Sequence, residues 1–223
     1  MLLAKLFTTR DSGVSEPPFD SLNLAFHVGD DPAFVAVNRL KVAAPPIAFM
    51  NQVHGSTVVV VDSLSPQEPT ADAMITQTKN LALAVMVADC IPLLLWDKAL
   101  TTIAAVHVGR RGLVNGVALS TLNLMKELGA IDVCAEIGPS ICGKCYEVGA
   151  DIFDEVVSGH PTAASTTVIG TKALDLPRAL ENVLRAKSVE VSRSSQCTVE
   201  NAHYFSYRRA PITGRQAGLI WLS

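Results

Sequence analysis

Apolar positions along this chain fall into short continuous runs separated by polar connections. TVVVVD (57–62) is β-branched and unbroken, which predicts a buried strand. ALAVMVAD (82–89) and PLLLWD (92–97) read as core strands, with Pro92 breaking the ladder between them. TIAAVHVG (102–109), VCAEIGP (133–139), VEVSRS (189–194) and AGLIWL (217–222) add four more strands. Residues 112–130 carry apolar side chains at a helical period, and Gly129 stands where a C-cap glycine belongs. Two further helices are expected over 149–157 and 177–187, the second with Asp175 as N-cap and Pro177 in its first turn. Residues 10–34 are rich in Pro, Gly, Ser and Asp and read as loop with short extended pieces. The elements do not alternate in a strict βαβ rhythm. The expected fold is therefore α+β, one layered domain over 1–223 with mixed sheets.

Composition narrows the function. Hydrophobic residues make up 49% of the 223 and charged ones 17%, with a net charge of -3. That excludes a disordered tail and a coat for nucleic acid. The longest apolar run, 81–96, is interrupted by Asp89 and Pro92 and is shorter than the roughly 20 residues a spanning helix needs. Five cysteines, an odd number, argue for reduced thiols rather than a disulfide framework. No membrane association is expected, and the expected compartment is the cytoplasm.

Soft-metal chemistry needs thiolate and imidazole donors. His54 in NQVHGS and His107 in AAVHVGRRG sit beside glycine at the ends of apolar segments, and Cys90 lies in VADCIP between two strands. Such a trio makes a zinc site with one coordination position open, as a catalytic zinc requires. The spacings of 36 and 17 residues match no short motif. They leave open that Cys90 is a small buried hydrophobe and that both histidines are core residues. Cys142-Gly143-Lys144-Cys145 has no second C-x-x-C and reads as a loop with two incidental thiols. Arg110 and Arg111, and later Arg208, Arg209 and Arg215, offer forks suited to phosphate or carboxylate, and glycines flank the first pair.

Taken in order, these motifs resemble the YfiH family, also described as laccase-domain or multicopper-polyphenol-oxidase-like proteins. They are FTTRDSGVS, SLNLAFHVGDDP, NQVHG, LAVMVADCIPLLLWD, AAVHVGRRG, EIGPSICGKCYEVG and YFSYRRAPITGRQAGLIWL. The resemblance implies a fold similar to the catalytic domain of cytotoxic necrotizing factors. It also implies a zinc-dependent purine nucleoside enzyme acting on small-molecule nucleoside and phosphate as a monomer or weak homo-oligomer. The implied reactions are phosphorolysis of adenosine, inosine and methylthioadenosine, and deamination of adenosine. His54, Cys90 and His107 occupy the positions of the family's zinc ligands. For the chemistry, Asp89 is the candidate acid/base and Arg111 the first candidate for phosphate, followed by Arg208 and Arg10. Asn23 and Tyr207 are candidates for ribose or base. The chain departs from the pattern at Arg110, where the family has Trp, and the C-G-K-C insert is no family signature. Four other readings compete. They are a thiol hydrolase using Cys90 and His107, editing of a peptidoglycan precursor, a non-enzymatic nucleoside binder, and copper-dependent phenol oxidation. The last is disfavoured, because one Cys and two His cannot build a mononuclear plus a trinuclear copper set.

Overall fold

The computed structural model describes residues 2–223. Strand β1 (Leu3–Phe7) is followed by helix α1 (Pro32–Lys41) and by the short strands β2 (Ile47–Ala48), β3 (Val58–Val60) and β4 (Ala73–Thr76). Three central strands come next, β5 (Ala82–Val87), β6 (Ile91–Asp97) and β7 (Ile103–Val108). Helices α2 (Arg110–Val114) and α3 (Val117–Glu127) lead into β8 (Val133–Ile137). Helix α4 (Ala150–Gly159) precedes a hairpin of β9 (Ala164–Thr166) and β10 (Lys172–Leu174). Helix α5 (Leu176–Arg185), β11 (Glu190–Arg193) and β12 (Gln216–Leu222) close the chain.

The result is a mixed α/β fold with mixed sheets. One sheet has the order β1-β12-β5-β2 and the other β11-β8-β6-β7-β4-β3, with β9 and β10 as a separate pair. The two large sheets pack face to face through β5 and β12 against β6 and β7. Met74, Leu83, Val85, Leu94 and Ile220 fill the space between them. The outer face of the six-stranded sheet, with Ile75, Leu93, Leu95 and Val106, is covered by Leu113, Val117, Leu122, Leu176 and Leu180 from the helices. Central strands buried on both faces must be apolar at every position, which is why 82–87 and 91–95 show no alternation. Each fully buried Leu or Val there contributes about 1.5–3 kcal/mol by leaving water.

Several expectations are corrected in detail. The helix expected over 112–130 is two helices, because Asn115 and Gly116 end α2 and Gly116 adopts φ +75°. Pro92 lies inside β6, paired opposite His107, and the chain turns instead at Asp89, where φ is +90°. The run 57–62 forms only the three residues of β3. This is an edge strand of the six-stranded sheet, with Val60 exposed rather than buried. Loop over 10–34 gives way to α1, whose N-cap Asp31 accepts the Ala33 N–H at 2.8 Å and whose first residue is Pro32. The Asp175 cap is present, with its side chain accepting the Arg178 N–H at 2.9 Å.

Candidate metal centre and active-site cavity

The sheet seam brings the three distant donors together. Strands β5 and β6 belong to different sheets, so the corner Ala88–Asp89–Cys90 crosses from one layer to the other and carries Cys90 with it. His107 is the penultimate residue of β7, beside that corner. His54 follows β2 on a loop and sits in the left-handed region at φ +59°. The donor atoms of His54, Cys90 and His107 all lie within 4.8 Å of one another. Cys90 Sγ is 3.8 Å from His54 Nε2, and the two imidazole rings meet edge to face at 4.6 Å.

A residue that the sequence reading passed over holds this arrangement. Asp72 is fully buried, immediately before β4. Its Oδ1 is 2.8 Å from His107 Nδ1 and accepts the His54 N–H at 2.9 Å. Its Oδ2 accepts the Gly55 N–H at 2.7 Å and the Val53 N–H at 3.3 Å, and its carbonyl accepts the His107 N–H at 2.7 Å. An ionised carboxylate only accepts, so His107 carries its proton on Nδ1 and turns Nε2 to the cluster. One carboxylate thus sets the tautomer of one donor and the loop of another.

The electrostatics follow. Burial pushes the Asp72 carboxyl up, but hydrogen bonds from His107, Gly55 and His54 overcome this and hold it below the ordinary carboxylate range. Burial likewise pushes the Cys90 thiol up, yet the charge on His107 and hydrogen bonds from both histidines draw it down to about 6. His107 is lowered by burial and raised more strongly by the Cys90 thiolate and Asp72, to about 9. Each group draws the other toward its charged form, the thiol down and the imidazole up, so the arrangement favours a thiolate facing an imidazolium. Gly109, at the start of α2, lets the backbone approach this pair. A Cβ there would lie 3.0 Å from Cys90 Sγ and 3.1 Å from His54 Cδ2. Gly109→Ala is expected to fold and to lower metal affinity about 10–100-fold by displacing both donors. Competition with a chromophoric chelator measures this, and unchanged affinity would count against the geometry.

The cluster opens into a cavity of about 300 Å³, within the size range of small-molecule sites. Its walls include Gln52, Met86, Ile141, Tyr146, Leu176 and Tyr207. Three arginines, Arg110, Arg208 and Arg215, bring positive charge, and Asp89 is the one carboxylate among the lining residues. His27 also lines the cavity, and burial and the neighbouring Arg215 push its imidazole towards the neutral form. Arg110 is ion-paired with Glu155 at 2.9 Å. Arg208 lies over the Tyr146 ring at 5.3 Å. Arg215 spends Nη1 on the carbonyls of Thr213 and Gly214, at 2.8 and 2.9 Å. Both Asp89 oxygens are engaged, accepting the Thr198 hydroxyl at 2.6 Å and the Arg208 N–H at 2.7 Å.

The remaining candidates lie elsewhere. Arg111 is exposed on α2 and does not line the cavity, since successive helical residues face directions about 100° apart and Arg110 takes the inward one. Arg10 is committed to Asp20, with Nη2 2.8 Å from its carboxylate and Nε 2.6 Å from its carbonyl. Asn23 is fully buried, and its amide serves Ala25, Asp30 and the Arg215 N–H. It therefore positions the Arg215 segment from behind. Arg215, the lining arginine that Asn23 supports, sits in the T-G-R run that the sequence reading noted without assigning.

The sequence matches the family described as multi-copper polyphenol oxidoreductase laccase over residues 4–223. The chain belongs to this family. A Mycobacterium tuberculosis relative named purine nucleoside phosphorylase is 43% identical over 232 residues, covering 99% of this chain and 92% of the relative. A solved Neisseria meningitidis structure of the same family superposes with a TM-score of 0.90 at 39% identity, covering 99% of this chain and 94% of that one. The Bacillus licheniformis hypothetical protein YfiH superposes with a TM-score of 0.88 at 28% identity, covering 99% and 93%. The resemblance to the YfiH family is thereby established. No helix among the described residues is long and apolar enough to cross a membrane.

Proposed function

We propose that this chain is a zinc-dependent purine nucleoside phosphorylase for adenosine, inosine and methylthioadenosine, and that the same cavity deaminates adenosine. The observation that carries the reading is the opening of a His/Cys cluster and three arginines into one cavity. The name of the mycobacterial relative supports the reaction class.

The donor set fits zinc: one thiolate, two imidazoles, a carboxylate behind one of them and room for a fourth ligand. His54, Cys90 and His107 would hold the ion. When bound, zinc supplies Lewis acidity toward an oxygen placed in the cavity. The side chains do the rest. Arg208 and Arg215 grip the phosphate, a role their forked donors suit. Arg110 adds charge at the rim. Phosphate oxygen attacks the ribose C1′ as the bond to the purine breaks, and the electron pair leaves with the base. Tyr207 offers its ring to the nucleoside. In deamination water adds to C6 of the purine as the C6–N bond breaks and ammonia leaves, and Asp89, the lining carboxylate oriented by Thr198 and the Arg208 N–H, carries the proton from the water to the departing amine. Purified protein incubated with a nucleoside panel, with and without phosphate, tests this. Release of free base only with phosphate is expected, and Arg215→Gln should raise the KM for phosphate more than it lowers kcat. No base release with any purine nucleoside would end the proposal.

Metal binding should also release a proton. Ligation needs the Cys90 thiolate and neutral His107, whereas the metal-free pair retains the His107 proton up to about pH 9. Zinc affinity should therefore rise about tenfold per pH unit from neutrality to about 9 and then level off. Calorimetry in buffers of different ionisation heat counts the proton, and a count of zero would refute the thiolate–imidazolium pair. Metal analysis also settles identity, since a His₂Cys donor set binding copper(II) would give an intense blue absorption.

A second reading rests on the order Asp72, His107, Cys90, which is also that of a carboxylate–imidazole–thiol hydrolase. An acyl adduct on Cys90 formed from an amide substrate by the metal-free protein, seen by mass spectrometry, would favour it.

A further inference from the structure

The Cys142-Gly143-Lys144-Cys145 turn is not isolated in space. Cys197 and Glu200 lie against it, and the four donor atoms, three sulfurs and one carboxylate oxygen, all fall within 4.8 Å of one another. We propose that Cys142, Cys145, Cys197 and Glu200 form a second, structural metal site for a thiolate-binding divalent cation, zinc in the first instance, that ties together two segments of the cavity wall.

The donor count separates this cluster from the first. Four ligands complete a tetrahedral shell and leave no open position, which is the mark of a structural site. With metal–sulfur bonds of about 2.3 Å, tetrahedral donors stand ~3.8 Å apart, so the cluster needs to contract by only about 1 Å. Cys145 Sγ is already 3.5 Å and Cys142 Sγ 3.9 Å from Glu200 Oε1.

The backbone is arranged for the same end. Cys145 N–H and Tyr146 N–H both bond to the Cys142 carbonyl at 3.1 Å, folding the C-x-x-C into a tight turn with both sulfurs on one side. Cys142 N–H points at Cys197 Sγ at 3.4 Å, so the backbone of the turn is already turned toward the third sulfur. Gly143 packs so closely on α5 that a Cβ would lie 2.7 Å from that of Asp175. Cys197 is held in place by a parallel bridge to Ser140. The turn closed by Asn201 N–H on the Cys197 carbonyl at 2.9 Å brings Glu200 back over the sulfurs. All three thiols are free. A Cys142–Cys145 disulfide would leave the third sulfur and the carboxylate without a role, whereas one cation uses all four. Glu200 is exposed and Cys142 and Cys145 half-buried, which gives an ion a way in.

The position says what the ion would do. Ile141 and Tyr146 flank the C-x-x-C and line the cavity, while Thr198, next to Cys197, holds Asp89 by its hydroxyl. A metal here pins both segments behind the nucleoside cavity.

The test counts zinc in protein stripped with chelator under reducing conditions and reloaded with Zn2+. Two equivalents per chain are expected in the native sequence and one in Cys90→Ala, which removes the first site and leaves the second. The Cys142→Ser/Cys145→Ser pair should also keep one, and the three changes together none. Cobalt(II) added to the Cys90→Ala protein should show the sulfur-to-cobalt absorption of a tetrahedral thiolate site. Zn2+ should raise its melting temperature by several degrees. If the double serine variant does not fold, Glu200→Gln in the Cys90→Ala background should weaken zinc binding at least tenfold. A Cys90→Ala protein that takes up no zinc overturns the proposal, as does a serine variant as rich in zinc as the native chain. Because the second site is counted with the first removed, its failure leaves the nucleoside reading untouched, and the reverse also holds.

Discussion

Replacing Cys90 by alanine is expected to lower nucleoside phosphorolysis by at least about 10³-fold and to remove the metal of the cavity. The thiolate is the only anionic donor of the cluster, and two neutral imidazoles without it form a weak site. A loss of 10³ corresponds to about 4 kcal/mol of transition-state stabilisation, the several kcal/mol expected of a Lewis acid at developing charge. The fold should survive, because Cys90 is only partly buried and its removal leaves little void. Cys90→Ser tests the same point more gently, since a hydroxyl fills the space and is a far poorer ligand for zinc. Activity should track the zinc bound at the cavity in both variants, apart from any held at the second site. Full activity in Cys90→Ala with no metal at the cavity would sink the proposed mechanism. The loss of activity with metal retained at this site would instead favour Cys90 as a nucleophile.

What the sequence revealed of this site, and what it hid, has a physical pattern. His54, Cys90 and His107 stand out as polar donors at the ends of apolar segments, but no spacing ties them together, and it is the family resemblance that singles them out as one set. Strands β5 to β7 were legible because burial on both faces forces unbroken apolar runs. Asp72 was not, since a single aspartate in a polar connection resembles any turn residue, and only the tertiary fold shows its carboxylate collecting four donors. The choice of Arg111 over Arg110 turned on helix phase, which no local motif reports. Arg10 and Asn23 carried the right chemistry, but the fold spends it on Asp20, Asp30 and the backbone. C-G-K-C has no second C-x-x-C in the sequence, and the groups that the fold sets beside it, a lone cysteine and a glutamate, come more than 50 residues later. Metal clusters assembled across sheets and loops leave no spacing signature, because their geometry is set by packing. The break between α2 and α3 was legible at Asn115-Gly116 had the glycine been weighed against the apolar period.

Asp72 is where stability and chemistry meet, and two substitutions separate them. Asp72→Ala should destabilise the protein by about 3–5 kcal/mol, because it strands the His107 imidazolium and three backbone N–H groups inside the fold. That loss, read from denaturant unfolding of the metal-free protein, would be the largest of any single side chain at the site. Asp72→Asn keeps the volume and one of the two acceptor oxygens, so it should cost less than Asp72→Ala while still leaving one pair of N–H donors facing an amide NH2. Its amide nevertheless offers His107 no negative charge, and the imidazole loses the partner that fixes its tautomer. Zinc affinity in Asp72→Asn should fall about 10–100-fold while the folded state persists. The acid limb of the stability curve gives an independent check. Asp72 is held below the ordinary carboxylate range, so its contribution is complete at neutral pH and disappears as the pH falls through its folded value. Asp72→Asn should flatten that limb, since the amide does not titrate. A variant that bound zinc as tightly as the native chain, with the acid limb unchanged, would show that Asp72 merely fills space. The proposed route from one buried carboxylate to two metal donors would then have to be abandoned.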